Sequence, residues 1–459
     1  MSARSVVVLC VAAAAALSAA LAYGGTRLAT PGAQVAVSRE PGTQSETTIV
    51  ADPVNPEVLL AGSNSHRDLR VHAYGSTDGG ATWTRTVLPR PPGTVASGDP
   101  TVAIDGTGRQ YFGFVNVSAK NRRLTIEFIV ASRPGPSGEW TAVAIASKAN
   151  VFDDKPALAA DTRPTSPHAN RVYAVWTRIT RNRRASVLVA SSDNGGVNWS
   201  RPVQADSGQN LNSYPSAAVG ADGALYVAWW NELGKGIFVA RSADGGASFE
   251  KPRLVDPIGG GSTCSPPGVR IPAQPTNCVR PNPIVSVDSS GGPFAGRVYV
   301  TYGDTGGAKK EQDVFLTAFD PSLRPLFKRH RVHPPDQPYR SDQFWAASAV
   351  DQSRGRLWVC FYDTTGDRRR KRAFYTCTLS ADGGTTFAPI VHAADVASNA
   401  TVRGADTGKK GLGREYGDYE GLAVADGMAH PIWTDTRDLS RFKEEVYTTV
   451  LAETTFLPH

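Results

Sequence analysis

Apolar and polar residues alternate in short bursts along most of this chain. "RVYAVW" (171–176), "ALYVAWW" (224–230), "RVYVTY" (297–302) and "RLWVCFY" (356–362) each read as one strand. Each is followed by a polar tip and a second alternating run: "SVLVASSDNGG", "IFVARSADGG", "DVFLTAF" and "AFYTCTLSADGG". A period of two, bounded by Gly, Asn, Asp and Pro, predicts β-strands joined as hairpins. A third short apolar segment precedes each pair: "PALAAD" (156–161), "PSAAVG" (215–220), "PIVSVD" (283–288) and "AASAVD" (346–351), with "PTVAID" (100–105) and "GLAVAD" (421–426) in the same role. No stretch carries a sustained helical period, so the expectation is an all-β chain.

The triplets recur as seven units, opening near Glu46, Asp99, Asp154, Tyr214, Asn282, Asp342 and Asp418. Units of three or four strands spaced roughly 50 to 75 residues apart predict a β-propeller, because blades packed in a ring cover one another's faces. Seven four-stranded blades are expected, with six as the alternative if one unit is irregular. The last unit supplies three clear strands. The alternating "QVAVS" (34–38) is expected to complete it and close the ring.

A ten-residue stretch recurs at the end of the third strand: "YGSTDGGATW" (74–83), "ARSADGGASF" (240–249) and "TLSADGGTTF" (378–387). Gly supplies the positive φ of a tight turn, Asp accepts turn amides, and the aromatic folds back onto apolar side chains. These are turn residues, so Asp78, Asp244 and Asp382 are not expected to be catalytic. Ser76-Asp78-Gly80-Trp83, Ser242-Asp244-Gly246-Phe249 and Ser380-Asp382-Gly384-Phe387 resemble the Asp-box, or BNR, repeat of the sialidase superfamily, and Ser192-Asn194-Gly196-Trp199 resembles it with Asn for Asp. The resemblance covers roughly residues 46 to 451. It implies a propeller fold and a sialidase-like relation to glycans, in an enzyme or in a non-catalytic module.

The resemblance also implies roles for individual residues. "GDYEGLAVADG" resembles the segment that carries the family's nucleophile, which places Tyr419 there, followed by Leu422. "HRDLRVHAYGSTDGG" resembles the segment carrying the acid/base, which points to Asp68, and Glu232 takes the activating role by fold position. The family's first clamp arginine belongs to an Arg-Ile-Pro motif opening the first blade. Here that place reads "SETTIV", with Glu46 in the arginine's position, and the one Arg-Ile-Pro present is Arg270–Pro272. A carboxylate there would repel an anionic sugar. Catalysis therefore stays open.

In a propeller the start of each first strand and the end of each second strand share one face. The openings place Glu46, Asp99, Asp153, Asp154, Asn212, Tyr214, Asn282, Asp342, Trp345, Asp418 and Tyr419 at the channel mouth. The ends of the second strands add Asn64, Asn116, Arg178, Asn231, Glu232, Asp304, Asp363, Asp435 and Arg437. Such a ring could hold a sugar between carboxylates and aromatic platforms, or a Ca²⁺ ion. No cofactor is otherwise called for. The same residue types also cap strand ends.

Charge adds one feature. The net charge is +7, and the seven tips between second and third strands all contain Lys or Arg, "HRDLR", "TRNRR" and "GDRRRKR" among them. A basic collar would steer acidic glycans or cell-surface polymers toward that rim. No nucleic-acid motif accompanies it. The competing expectations are a glycan-cleaving propeller and a non-catalytic one docking an acidic polymer through this rim, in either case a monomer.

The N-terminus reads as an export signal. "MSARS" is basic, "VVVLCVAAAAALSAALA" is apolar, and Ala20-Leu21-Ala22 fits a cleavage site. Residues 1–22 are taken as a signal peptide, 23–32 as a linker and 33–459 as one propeller domain, with an uncleaved membrane anchor as the alternative. Past Cys10 there are four cysteines and no Cys-x-x-Cys, which suits two disulfides in an extracytoplasmic protein: Cys264 with Cys278 and Cys360 with Cys377.

Overall fold

A computed structural model describes residues 26–120, 123–145, 151–208, 211–233, 236–258, 264, 268–306, 311–334, 340–402, 416–438 and 444–455. The expected signal peptide and parts of four basic tips lie outside these residues.

The described chain is built from strands in antiparallel ladders. The first sheet holds Gln44–Ala51, Leu59–Ser65, Arg70–Ser76 and Thr84–Thr86 in that order. The second holds Thr94–Ile104, Gln110–Lys120, Arg123–Arg133 and Thr141–Ala144. The third holds Val151–Ala160, Val172–Thr180, Ala185–Ser192 and Val203–Gln204; one parallel pairing, Phe152 with Ile126, joins it to the second. The fourth holds Asn212–Val219, Leu225–Asn231, Gly236–Ser242 and Arg253–Pro257. The fifth holds Ile284–Val287, Val298–Gly306, Glu311–Phe319 and Pro325–Arg331, and the sixth Gln343–Asp351, Arg356–Asp363, Phe374–Ser380 and Val391–His392. Gly421–Ala425, Met428–Asp435 and Glu445–Thr448 follow, with Val35–Ala36 hydrogen-bonded beside the last of these. A short hairpin, Val269–Ile271 with Gln274–Val279, stands between the fourth and fifth sheets.

Apolar faces meet between successive sheets. Leu60 and Ala73 of the first pack with Val102 and Phe112 of the second. Val175 and Val189 of the third pack with Val227 and Ala240 of the fourth. A further cluster joins the two ends of the chain's sheet series, with Val37, Ile49, Leu59 and Ala61 against Ala423, Ile432 and Val446. Each such Leu, Ile or Val contributes about 1.5–3 kcal/mol by leaving water.

The repeated ten-residue stretches fold alike. Ser76 Oγ donates to Asp78 Oδ1 (2.8 Å) and accepts from Gly80 N (2.9 Å), while Asp78 Oδ1 accepts from Thr82 N (2.9 Å). The same set recurs at Ser242, Asp244 and Ser248, and at Ser380, Asp382 and Thr386. Asn194 reproduces it through its side-chain oxygen. Gly79 and Gly80 take φ of 65° and 87°, left-handed values that a β-carbon would oppose.

One backbone device positions the site. Ladders break between Ser45 and Thr48, Gly98 and Thr101, Asp154 and Ala157, Ser213 and Ser216, and Phe344 and Ala347. Inside these bulges Glu46, Asp99, Lys155, Tyr214 and Trp345 have φ of 55°, 53°, 46°, 53° and 50°, and Asn282 before the fifth sheet has 40°. Proline follows at 100, 156, 215 and 283. It has no N–H to give the ladder, so it sits where pairing is already interrupted. A left-handed residue in a bulge re-aims its side chain away from the normal alternation. Tyr419, two residues before Gly421 rejoins its ladder with Ile432, occupies the corresponding place.

Candidate functional site

Those bulge residues meet one another. Lys155 Nζ donates to Asp99 Oδ1 (3.1 Å) and to Asp418 Oδ2 (2.7 Å), bridging strands more than 250 residues apart in sequence. Tyr214 OH donates to the same Asp418 oxygen (2.9 Å). The ammonium lies 5.2 Å from the centre of the Tyr214 ring and 5.6 Å from that of Tyr419. On the acidic side, Asn64 Nδ2 donates to Glu46 Oε2 (2.8 Å), and its Oδ1 accepts from Asp99 N (3.0 Å).

The hairpin supplies the rest. Asn277 Nδ2 donates to Asp418 Oδ1 (3.0 Å), and Arg280 stands 3.7 Å from that oxygen while reaching Tyr214 OH (3.3 Å). Gln274 Oε1 accepts from Trp345 Nε1 (3.0 Å). Cys278, at disulfide distance from Cys264, lies on the same hairpin. Cys360 and Cys377 face each other across the second and third strands of the sixth sheet, also at disulfide distance.

The carboxyls here divide into two kinds. Burial pushes Asp154 up to about 7, helped by the negative charge of Asp99. Glu46 is raised well above the carboxylate range, burial again being the main cause. Burial also acts upward on Asp99 and Asp418, but Lys155 and hydrogen bonds outweigh it, with Arg280 adding at Asp418, and both fall below the usual value. Lys155 is held protonated: its burial penalty is overcome by Asp418, Asp99 and Glu46. The result is two carboxyls pushed below the ordinary range beside two cations, and two others, Asp154 and Glu46, pushed above it. Glu46, Asp99 and Asp154 line one cavity of about 300 Å³, whose apolar wall includes Leu69, Val115, Val117, Ile126 and Phe152.

Several expected site residues are spent elsewhere. Asp342 is fully buried and clamped by Arg370, with Nε at 2.8 Å and a terminal nitrogen at 2.6 Å, so it turns to its own hairpin tip and does not join Asp99 and Asp418. Asp153 is held in the same way by Arg178. Asp304 accepts from Arg329, and Asp363 from Gln343 (2.7 Å). Asp435 accepts from Trp433 Nε1 and from Arg437. Trp345 is 2% exposed and capped by the hairpin, so it offers no open platform.

The family-derived trio is not assembled either. Tyr419 OH points at Pro100 O (3.4 Å), and its pKa is raised well above normal by burial. Glu232 is raised by burial and faces Arg280. Asp68 pairs with His72 (3.0 Å) in a different groove. Among the described residues no contact joins Asp68 or Glu232 to Tyr419.

Lys155, Arg280, Asn277 and Gln274 are the residues that sequence reasoning missed. The signal for Lys155 was present: "DKP" aligns with "GDP", "SYP" and "PNP" when the proline is the reference. Reading acids alone chose Asp153 and Asp154 in "DDKP". The hairpin residues lie outside the repeat, so no repeat-based argument reaches them. Among the described residues no group of three or more His, Cys, Asp and Glu is arranged to hold a metal. Of the basic tips, Arg370 is spent on Asp342, whereas Arg183, Arg184, Arg369, Lys371 and Arg372 are exposed.

No family model matches the chain, and no curated protein matches it. Solved structures do. A protein of unknown function from Dyadobacter fermentans is 12% identical, with a TM-score of 0.51, over 94% of this chain and 100% of that one. The phage phi92 endosialidase is 13% identical, with a TM-score of 0.48, over 93% of this chain and 70% of that one. A Hadza microbial sialidase is 12% identical, with a TM-score of 0.46, over 85% and 76%. At these identities the likeness concerns fold alone.

Proposed function

We propose that the chain is a seven-bladed β-propeller, closed by Val35–Ala36, that takes a glycan at its hub and cleaves it with Asp154 as proton donor. The observation that supports this is the opposed protonation of neighbouring carboxyls lining one cavity: Asp154 near 7, Asp99 ionised. Environments that drive two acids apart in this way define an acid and its counterpart. Lys155 and Arg280 balance the ionised pair, and the apolar wall suits the faces of sugar rings. A tyrosine-nucleophile route of the sialidase kind is disfavoured, since among the described residues neither Asp68 nor Glu232 contacts Tyr419, and Glu46 stands where the clamp arginine belongs. Two cysteine pairs at disulfide distance support an extracytoplasmic site of action.

The test is an arylglycoside panel and a glycan array, run with and without EDTA, on wild type and on Asp154→Asn and Asp99→Asn. Asp154→Asn should lower turnover about 100-fold or more, the usual contribution of a general acid, with the melting curve retained. A wild type that cleaves no member of the panel, or an Asp154→Asn enzyme of full activity, refutes the assignment. The exposed Arg183, Arg184, Arg369, Lys371 and Arg372 favour a second reading, a non-catalytic propeller that docks an acidic polymer. It requires that Arg369→Gln with Lys371→Gln and Arg372→Gln abolish binding while hub variants bind normally.

A further inference from the structure

A second cavity of about 440 Å³ opens on the outer side of the first sheet's 66–70 tip. Its walls come from the first sheet's outer strands, the connecting segment 87–91 and the start of the second sheet. The groups lining it are mostly donors. Arg70 and Arg90 have no partner among the described residues, and Arg85 uses one nitrogen on Glu40 (3.2 Å). His72, 7% exposed, is gripped by Glu40 and Asp68, each at 3.0 Å. Those two carboxylates are therefore already engaged by His72 and Arg85, which leaves the two unpaired guanidinium groups as the open charge of the groove.

Two buried polar atoms of this wall also lack partners. Asn116 is fully buried, and its Nδ2 has no partner among the described residues. Its Oδ1 lies 2.9 Å from Thr94 Oγ1, whose single proton is also called on by Pro91 O at 2.6 Å. Either way round, one edge of the amide is unpaired. Thr86 Oγ1 is enclosed and unpaired as well. Leaving such groups unmade is costly, and a ligand that completes them would recover that cost.

The groove adjoins the hub cavity across one ridge. Ser97 lines both cavities. His66 and Leu69 of the tip face the hub cavity, while Asp68 and Arg70 face the outer one. Ser97 N donates to Leu69 O (2.8 Å) and Ser97 Oγ accepts from Val71 N (3.0 Å), so the ridge between the cavities is one hydrogen-bonded unit. A polymer seated at the hub would cross this ridge and enter the donor-lined groove.

We propose that the outer groove is an accessory subsite for an anionic sugar unit, bearing carboxylate or sulfate, of the same chain that occupies the hub. Arg70 and Arg90 hold its anionic group, and Asn116 and Thr86 complete its remaining hydrogen bonds. Planar guanidinium forks suit both anions. This rests on the hub being a glycan site, and it makes the polysaccharide an acidic one.

The experiment is calorimetric titration of the full chain with oligogalacturonates and with sulfated chondroitin oligosaccharides, each as disaccharide and octasaccharide. Maltooctaose is the neutral control. Arg70→Ala with Arg90→Ala is the outer-groove variant, and Asp154→Asn the hub variant. The octasaccharide of one anionic series should bind tighter than its disaccharide. The outer variant should lose that gain, about tenfold or more for two charge-assisted contacts, while disaccharide and maltooctaose binding and the melting curve stay unchanged. The series that shows the gain identifies carboxylate or sulfate as the recognised group. Equal binding of long and short anionic chains, no anionic binding at all, or an outer variant with the wild-type octasaccharide affinity overturns the subsite. Failure of the hub reading shows separately, as an Asp154→Asn enzyme whose turnover of short substrates is undiminished.

Discussion

Replacing Lys155 by methionine tests the hub directly. The chain length is nearly conserved, so packing around the stem changes little. What is lost is the ammonium that lies 3.1 Å from Asp99 and 2.7 Å from Asp418, with a side chain only 13% exposed. Both acids are ionised in the folded protein because of it. Stranding a buried charge by removing its partner costs about 3–5 kcal/mol. That is a large share of the ordinary 5–15 kcal/mol by which a folded protein exceeds its unfolded chain. The pH dependence gives the signature. A carboxyl whose folded pKa is depressed contributes stability above its unfolded value, near 3.9, and loses it as pH falls through the folded one. In Lys155→Met the strongest influence holding Asp99 and Asp418 down is gone, leaving Arg280 and hydrogen bonds, so both acids bind protons more readily in the folded state and the deficit shrinks in acid. Urea unfolding at pH 7 should show a loss of about 3–5 kcal/mol, falling below about 1 kcal/mol near pH 3. Adding Asp418→Asn should restore part of the loss at pH 7, a coupling of about 1–3 kcal/mol. A variant within 1 kcal/mol of wild type at pH 7, or a deficit that is the same in acid, would show that Lys155 is not the counter-charge of this cluster.

Two further measurements address the seam where the last sheet meets the first. His430 is 4% exposed there, its Nδ1 is unpaired, and burial lowers its pKa to about 4. A histidine whose folded pKa lies below its unfolded value of about 6.5 destabilises the fold as pH falls between the two, by about 3 kcal/mol in all. His430→Leu should remove that slope; a wild-type minus variant difference that stays flat between pH 7 and pH 4 would refute it. Deleting residues 33–40 removes the Val37 N–H to Val446 O bond (2.8 Å), the Ser38 Oγ that accepts from Val446 N (3.0 Å), and the burial of Val37. That loss should exceed about 3 kcal/mol and lower the melting temperature clearly, and an unchanged melting curve would show that this segment closes nothing.

The strand pattern was legible because short apolar runs bounded by turn residues recur from sheet to sheet; the inner strands are buried on both faces, as Leu225–Asn231 and Glu311–Phe319 are throughout. The apolar positions of "ALYVAWW" and "RLWVCFY" are those that face the neighbouring sheets. The clasps were legible for a local reason: every group that Asp78 or Asp244 binds lies within four residues of it. Asp342 shows where local reading fails. It opens its unit as Asp99 does, but Arg370, 28 residues away, folds back onto it, and nothing in "SDQFW" announces that partner.

The hub residues were half legible. Their place followed from the repeat, whereas their partners come from far along the chain. Lys155 reaches Asp418 across 263 positions of sequence, and Asn277 reaches it from a hairpin outside the repeated strand pattern. The same bulge position, occupied by Glu46, Asp99, Lys155 and Tyr214, brings carboxylate, ammonium and phenol groups from four sheets into one cluster. Which group stands at that position is a separate choice of sequence in each sheet. Turn motifs hold the sheets in place and leave that choice free, so the motif that names the fold carries no information about the chemistry at its hub.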